Sequence, residues 1–222
     1  MIEKICIINP NSLDTVTKGI DAALQPLRRP EGPSLECFTL ADGPPGIQTQ
    51  RDADAAIGPL VRKVASLEPT ASAFVIACFS DPGLHSLREM TPKPVIGIGE
   101  AGMLTALTLG QRIGVIAILA GSIPRHLRYY GAMGIRDRLA AELPVNLSVA
   151  ELADRQRTLM RMTEVGKTLR DAHGADVLVM GCAGMAALRA QLQQEVRIPV
   201  VEPCQAAVAM AIGLVQLDWH RA

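Results

Sequence analysis

AFVIACFSDPG, at residues 73–83, is a short apolar run that ends in a cysteine and passes directly into a turn. The stretch VLVMGCAGM, at residues 177–185, repeats this arrangement and places Cys182 104 residues after Cys78. Short continuous apolar runs bounded by turn residues are typical of strands in parallel sheets whose two faces are both covered. The two stretches therefore predict equivalent strands in two similar units of an α/β protein.

Two more pairs of segments repeat in the same order along the chain. Residues 4–8 match residues 112–116 at an offset of 108, and residues 94–96 match residues 199–201 at an offset of 105. Because three anchors in one order agree to within four residues, the sequence predicts two similar Rossmann-like lobes. Each lobe has a parallel sheet, and the lobes face each other across a cleft.

Helical patterns fill the intervals between the apolar runs. Apolar residues recur there at spacings of three and four, most clearly at residues 51–67, 103–109 and 150–173. Alternation of strands and helices is the signature of βαβ units. We expect residues 1–98 together with residues 208–222 to form the N-terminal lobe, and residues 99–207 to form the C-terminal lobe.

Charge balance and aromatic content exclude several classes of function. The 222 residues contain 22 Lys and Arg against 22 Asp and Glu, so the formal net charge is zero, and 3% of the residues are aromatic. Nucleic-acid binders usually carry a basic excess, and single-strand binders stack bases on aromatic side chains. We therefore expect a small-molecule substrate and no nucleic-acid partner.

The apolar stretches are too short for a membrane. The longest ones, residues 113–121 and 206–215, fall below the roughly 18 residues that a membrane span requires. The first residues, MIEKICII, lack the basic and apolar regions of a secretory signal. The sequence predicts a cytoplasmic protein with no membrane contact.

Neither a cofactor nor a metal is predicted. The motif GIGEAG at residues 97–102 has the glycine spacing of a dinucleotide fingerprint, but no acidic residue follows about 20 positions later, at residues 117–124. We interpret these glycines as part of a tight turn from strand to helix. The four histidines show no ligand spacing and the five cysteines include no CxxC pair, so we expect no metal site.

Polar residues follow the first predicted strand directly. Asn9, Asn11 and Ser12 place amide and hydroxyl groups at its carboxyl end. Open α/β sheets bind ligands at that end of their strands, so these residues are candidates for substrate binding. The alternative role is structural, because Asn11 or Ser12 could cap the helix that follows.

Cys78 and Cys182 carry the strongest chemical signal. A single cysteine at the end of a strand is usually a small buried apolar residue, but two of them at equivalent positions point at one ligand from opposite sides. Nearby helix N-termini favour the thiolate form. Such a pair can invert a carbon centre, because one sulfur removes a proton on one face while the other returns a proton on the opposite face. Backbone N–H groups after each cysteine can hold the enolate oxygen.

Four segments, taken in order, resemble the cofactor-independent aspartate/glutamate/hydantoin racemase superfamily, and they are most similar to its hydantoin and allantoin branch. They are INPNS (8–12), ACFSDPGL (77–84), PVIGIGEA (94–101) and GCAGM (181–185). The resemblance implies two α/β lobes related by pseudo-twofold symmetry, with the active site between them. It also implies that Cys78 and Cys182 are the acid/base pair. Around the substrate it places Asn9, Asn11, Ser12, Phe79, Ser80, Ala183 and Gly184.

Departures from the family pattern indicate the substrate class. Racemases of free amino acids in this superfamily follow their cysteines with Asn-Thr and Thr-His, where this chain has Phe79 and the pair Ala183 and Gly184. The difference favours a neutral cyclic ureide such as a hydantoin, whose ring already acidifies the carbon-bound proton. Related arylmalonate decarboxylases keep only the second thiol, which counts against decarboxylation.

Three alternatives stay open on the sequence. The first is racemisation of aspartate or glutamate. The second is isomerisation of maleate, because enzymes of that kind also use two cysteines. The third is a two-lobed small-molecule binding protein in which the thiols are inert. In each case we expect a homo-oligomer.

Overall fold

Two four-stranded parallel sheets dominate the computed structural model, which describes residues 3–219. The first sheet has the order β2–β1–β3–β4 and comprises β1 (Lys4–Asn9), β2 (Ser34–Thr39), β3 (Ala73–Ile76) and β4 (Val95–Gly97). The second has the order β6–β5–β7–β8 and comprises β5 (Ile113–Ala117), β6 (Leu139–Pro144), β7 (Val177–Met180) and β8 (Val200–Val201). The identical strand order confirms the predicted α/β fold with two similar parallel sheets.

In the described residues, eight α-helices connect and cover the strands. They are α1 (Asp14–Ala23), α2 (Gln50–Leu67), α3 (Leu84–Met90), α4 (Ile98–Leu109), α5 (Ile123–Ala132), α6 (Arg155–Asp171), α7 (Arg189–Val196) and α8 (Pro203–Gln216). A stretch of 3-10 helix, Ala183–Leu188, follows β7. The helices form on both faces of each sheet because the central strands are apolar on both faces, and every residue of β3, β5 and β7 is buried.

Helices α4 and α8 join the two halves. They pack against each other, α4 also lies against β7, and α8 also lies against β1 and β3. One apolar core therefore runs from the first sheet through both helices to the second sheet. The predicted lobe boundaries at residues 98/99 and 207/208 stay a prediction, and both fall within continuous helices, the first after the first residue of α4 and the second in the middle of α8.

The glycine motif at residues 97–102 has a packing role. A Cβ atom on Gly97 would collide with the carboxylate of Asp81, and one on Gly99 would collide with the carbonyl oxygen of Phe79. The Asp81 carboxylate accepts hydrogen bonds from the N–H groups of Gly99 (2.9 Å) and Glu100 (2.8 Å) at the start of α4. The helix terminus that would bind a dinucleotide phosphate is thus already occupied by a side chain of the protein.

Helix α8 begins in the same manner. The carboxylate of Glu202 accepts hydrogen bonds from the N–H groups of Cys204 (3.0 Å) and Gln205 (2.7 Å).

Within residues 3–219, no helix is long and apolar enough to cross a membrane. In that part of the chain, no three His, Cys, Asp or Glu side chains come together as a metal site.

Candidate active site

Cys78 and Cys182 line one cleft at the carboxyl ends of the two sheets. The N–H of Ala77 donates to the carbonyl of Ile8 (2.9 Å), and the N–H of Gly181 donates to the carbonyl of Ile116 (2.8 Å). Each sheet therefore extends its hydrogen bonding by one residue beyond β3 or β7, and each cysteine is the next residue in the chain. The cleft has an empty volume of about 430 Å³, including its open mouth.

Backbone N–H groups face both sulfur atoms. The N–H of Gly184 donates to Cys182 Sγ at 3.4 Å, and the backbone N–H of Ser80 lies near enough to Cys78 to lower the pKa of its thiol. Burial raises the pKa of Cys78 to about 12 and that of Cys182 to about 11. The two N–H groups oppose this rise because they favour the thiolates. A thiolate formed here is therefore a strong base.

Nearby charges act differently on the two thiols. Asp81 adds to the rise in the pKa of Cys78, whereas the guanidinium of Arg125 opposes it. Glu202 adds to the rise in the pKa of Cys182, and no cation opposes it there among the charges that affect this thiol in the described residues. The two halves thus share a backbone arrangement but not a charge arrangement.

Most of the predicted substrate-binding residues meet in the cleft. Together with the two cysteines, it is lined by Asn11, Phe79, Ser80, Ala183 and Gly184. Val16, Ile47, Ile118 and Val149 supply apolar walls.

Asn9 and Ser12 do not line the cleft. The side-chain amide of buried Asn9 donates to Asn11 Oδ1 and to Thr17 Oγ1, both at 3.0 Å, and its carbonyl oxygen accepts from the N–H of Asn11 at 3.2 Å. Asn9 therefore fixes the position of Asn11, which does line the cleft. The hydroxyl of Ser12 donates to the carbonyl of Pro44 at 3.4 Å, so it ties two loops together.

The other cysteines lie elsewhere. Cys6 is buried in β1, Cys37 is half-buried in the edge strand β2, and Cys204 is buried in the first turn of α8. Burial also raises the pKa of Cys6 and Cys37. None of the three lines the cleft.

Helix α5 supplies two cleft residues that the sequence patterns do not predict. Arg125 Nε donates to Ser80 Oγ at 3.1 Å, and His126 Nε2 lies 3.4 Å from the same oxygen. His126 is buried, and its Nδ1 lies 2.6 Å from Glu142 Oε1 on β6. The sequence repeat could have indicated them. The segment at residues 122–126 comes after β5, just as the polar segment that contains Asn11 comes after the equivalent strand β1.

The turn that carries Cys78 is also tied to other elements. Tyr129 on α5 donates its hydroxyl to Asp81 Oδ2 at 2.9 Å. Burial raises the pKa of Asp81 to about 7, and its three hydrogen bonds oppose that rise. On the opposite side, α1 packs against the 3-10 stretch that follows Cys182. The turn after Cys78 is therefore held by α5, which follows β5 of the second sheet. The turn after Cys182 is held by α1, which follows β1 of the first sheet.

Comparisons with known proteins agree with the resemblance seen in the sequence. The sequence model of the family described as Asp/Glu/Hydantoin racemase matches residues 5–211. The hydantoin racemase of Paenarthrobacter aurescens is 33% identical over 222 residues, covering 98% of this chain and 93% of the relative. The hydantoin racemase of Rhizobium meliloti is 35% identical over 217 residues, covering 95% and 88%. The solved structure of allantoin racemase from Klebsiella pneumoniae has a TM-score of 0.90 at 30% identity, covering 99% of this chain and 90% of that one.

Proposed function

The chain belongs to the Asp/Glu/Hydantoin racemase family, and from that premise we propose that it racemises 5-substituted hydantoins or allantoin without a cofactor, by proton transfer between Cys78 and Cys182. As a racemase it is an isomerase. The observation that carries the proposal is the pair of thiols at equivalent strand ends, lining one cleft, each with a backbone N–H at its sulfur.

The proposed reaction is a balanced exchange of one proton for another. The thiolate of one cysteine removes the proton on C5, so an S–H bond forms, the C–H bond breaks, and its electron pair moves into the ring carbonyl as an enolate. The thiol of the other cysteine then donates its proton to the opposite face of C5. The roles exchange for the other enantiomer, and the pair titrates as one coupled unit.

The high pKa values suit this chemistry. A thiolate whose pKa lies near 11 or 12 is a better base toward a weakly acidic carbon than an unperturbed one. Its population at neutral pH is correspondingly small, so groups that favour the charged form matter for the rate. Backbone N–H groups of both cysteine turns supply such an effect, and they also offer donors to the enolate oxygen.

The cleft lining favours a neutral ring over an amino-acid zwitterion. In the described part of the chain, Arg125 is the one charged side chain that lines the cleft, and no carboxylate does so. An ammonium group would be desolvated there without an anionic partner, which is costly. Phe79, Ala183 and Gly184 present an aromatic ring and backbone rather than charged groups. This argument weighs against aspartate or glutamate as substrates.

The test compares the wild-type protein with C78S and C182S on single enantiomers of a 5-substituted hydantoin and of allantoin. Polarimetry follows racemisation, and proton NMR in heavy water follows exchange of the C5 proton. We expect each variant to lose racemisation by at least about a hundredfold, because general acid–base groups contribute about 10²–10⁴ in rate. C37S is the matched control, since Cys37 does not line the cleft.

Full activity in C78S or C182S would refute the two-cysteine mechanism. Aspartate, glutamate and maleate belong in the same panel, and turnover of one of them in place of the ureides would favour that alternative. Absence of all turnover together with slow alkylation of both thiols would favour a binding protein. The homo-oligomer and the cytoplasmic location stay predictions, and light scattering measures the first.

A further inference from the structure

Arg125 reaches the cleft with most of its donors unused. It lies in the first turn of α5, is half-buried, and donates through Nε to Ser80 Oγ at 3.1 Å. A guanidinium carries five N–H donors in a planar fork. Within residues 3–219, its two Nη groups make no hydrogen bond and no ion pair. Four donors are therefore left for a ligand or for water.

The pKa of Arg125 responds to the thiol of Cys78 and to three charged side chains. Among the groups that raise its pKa, Cys78 acts most strongly, ahead of Asp52 and Glu142, and Arg128 lowers it. Burial lowers the pKa of Arg125 because the cation is partly desolvated without a bonded carboxylate. Such an arrangement costs stability, and unpaired charges of this kind concentrate at functional sites.

A hydrogen-bonded chain that begins on β6 fixes the position of this arginine. His126 Nδ1 lies 2.6 Å from Glu142 Oε1 and Nε2 lies 3.4 Å from Ser80 Oγ; in the tautomer that donates Nδ1–H to the carboxylate, Nε2 accepts a hydrogen bond from the Ser80 hydroxyl. A lone pair of Ser80 Oγ then accepts from Arg125 Nε. Phe79 also packs edge-on against His126, with ring centroids 5.3 Å apart, and this contact favours the observed orientation of the imidazole.

Among residues 3–219, the opposite wall of the cleft has no equivalent of this hydrogen-bonded chain. Ala183 and Gly184 follow Cys182 where Phe79 and Ser80 follow Cys78, and Leu152 packs against Gly184. The guanidinium of Arg125 and the imidazole of His126 therefore lie on the Cys78 side. An enolate needs such groups at one edge, because its charge collects on one ring carbonyl oxygen while C5 stays between the two sulfur atoms.

We propose that Arg125 is a catalytic residue that binds the ring carbonyl oxygen of the substrate and stabilises the enolate charge, with Ser80, His126 and Glu142 as positioning residues that hold its guanidinium. This inference rests on the proposed racemisation. The charge on the oxygen grows as the C5 proton leaves, so the interaction is stronger in the transition state than in the bound substrate.

The experiment compares R125Q and R125K with the wild-type enzyme in the racemisation assay. We expect R125Q to lower kcat about 100-fold and to change KM less than about threefold, since loss of one oxyanion donor costs about 10²–10³ in kcat. R125K keeps the charge but not the fork, so it should recover part of the rate. R128Q is the matched control, because Arg128 lies one turn along α5, is exposed and donates to Gln50.

Chemical rescue separates catalysis from folding. Added methylguanidinium should raise the kcat of R125A at least about tenfold, because its guanidinium group can occupy the space that the arginine side chain left. Circular dichroism identifies any variant that fails to fold, and R125K then carries the test. E142Q should lower kcat about tenfold in the wild-type background and much less in R125A, because Glu142 acts through Arg125. Additive losses would overturn the positioning role.

The outcomes distinguish the two proposals. A wild-type enzyme that racemises hydantoin or allantoin while R125Q equals it in kcat overturns this inference alone. Loss in R125Q that appears wholly in KM also overturns it, because uniform binding is then the role of the arginine. A wild-type protein inactive on every cyclic ureide overturns the proposed function, and the role of Arg125 falls with it.

Discussion

Replacement of Asp81 by alanine removes the carboxylate that joins the Cys78 turn to α4 and α5. Three donors lose their acceptor, namely the N–H groups of Gly99 and Glu100 and the hydroxyl of Tyr129. A buried donor without a partner costs about 1–3 kcal/mol. Asp81 also has a φ of 45°, a left-handed conformation that alanine adopts less readily than aspartate or asparagine. Three such donors at the low end of that range give about 3 kcal/mol, which is the loss of unfolding free energy that we expect for D81A.

Thermal unfolding at pH 6 measures this loss, because burial raises the pKa of Asp81 to about 7 and disfavours its charged form, which would offset part of the loss at pH 8. For a chain of this size, about 1 kcal/mol corresponds to a shift of about 2–4 °C, so Tm should fall by about 6–12 °C. D81N keeps one acceptor and tolerates the left-handed backbone, so its loss should be about half as large.

Asp54 provides the matched control for this measurement. It is exposed on α2 and accepts from the side chain of Gln50, so D54A should shift Tm by less than about 2 °C. A D81A variant that melts within about 1 °C of the wild-type protein would refute the reasoning. In that case the three hydrogen bonds would contribute no net stability to this turn.

Two further predictions concern the cleft. Enzymatic kcat/KM, corrected for the uncatalysed reaction, should rise with pH from about 7 to about 10. The reaction needs one thiolate, and burial raises the pKa of both Cys78 and Cys182. A kcat/KM that falls over this pH range would contradict the prediction. G181A should lower kcat at least about tenfold and destabilise the protein by about 1–3 kcal/mol, because its Cβ would press on the carbonyl oxygen of Ile116 and displace Cys182. G213A on α8 is the control, since its Cβ meets open space; equal kinetics in the two variants would argue against a strict requirement for glycine beside the thiol.

The central strands were predictable because burial on both faces leaves a continuous apolar signal. The runs that contain β1, β3, β5 and β7 are examples, and their repetition predicted two sheets. Of the edge strands, β4 and β8 lie in predicted apolar runs, whereas β2 and β6 were not predicted. Most of their residues are only partly buried, and polar residues such as Glu36 and Glu142 interrupt the apolar pattern.

The candidate site was only partly predictable for a similar reason. Cys78 and Cys182 follow apolar runs directly, so the local sequence predicts that each lies at the carboxyl end of a strand. Arg125 and His126 reach Ser80 because α5 packs across the cleft, and this contact joins residues 45 and 46 positions apart. Local sequence patterns cannot predict a contact between residues so far apart in the chain. Asn9 was expected at the substrate for its amide group, and the structure uses that amide to hold Asn11 and Thr17 instead.

The unequal walls of the cleft have a consequence set by thermodynamics. Two enantiomers with one stereocentre have the same free energy in water, so the equilibrium constant of a racemisation is one whatever the shape of the catalyst. The value of kcat/KM must then be the same in both directions. A cationic wall beside Cys78 and an apolar wall beside Cys182 can therefore bind one enantiomer more tightly only if that enantiomer also turns over more slowly, in the same proportion.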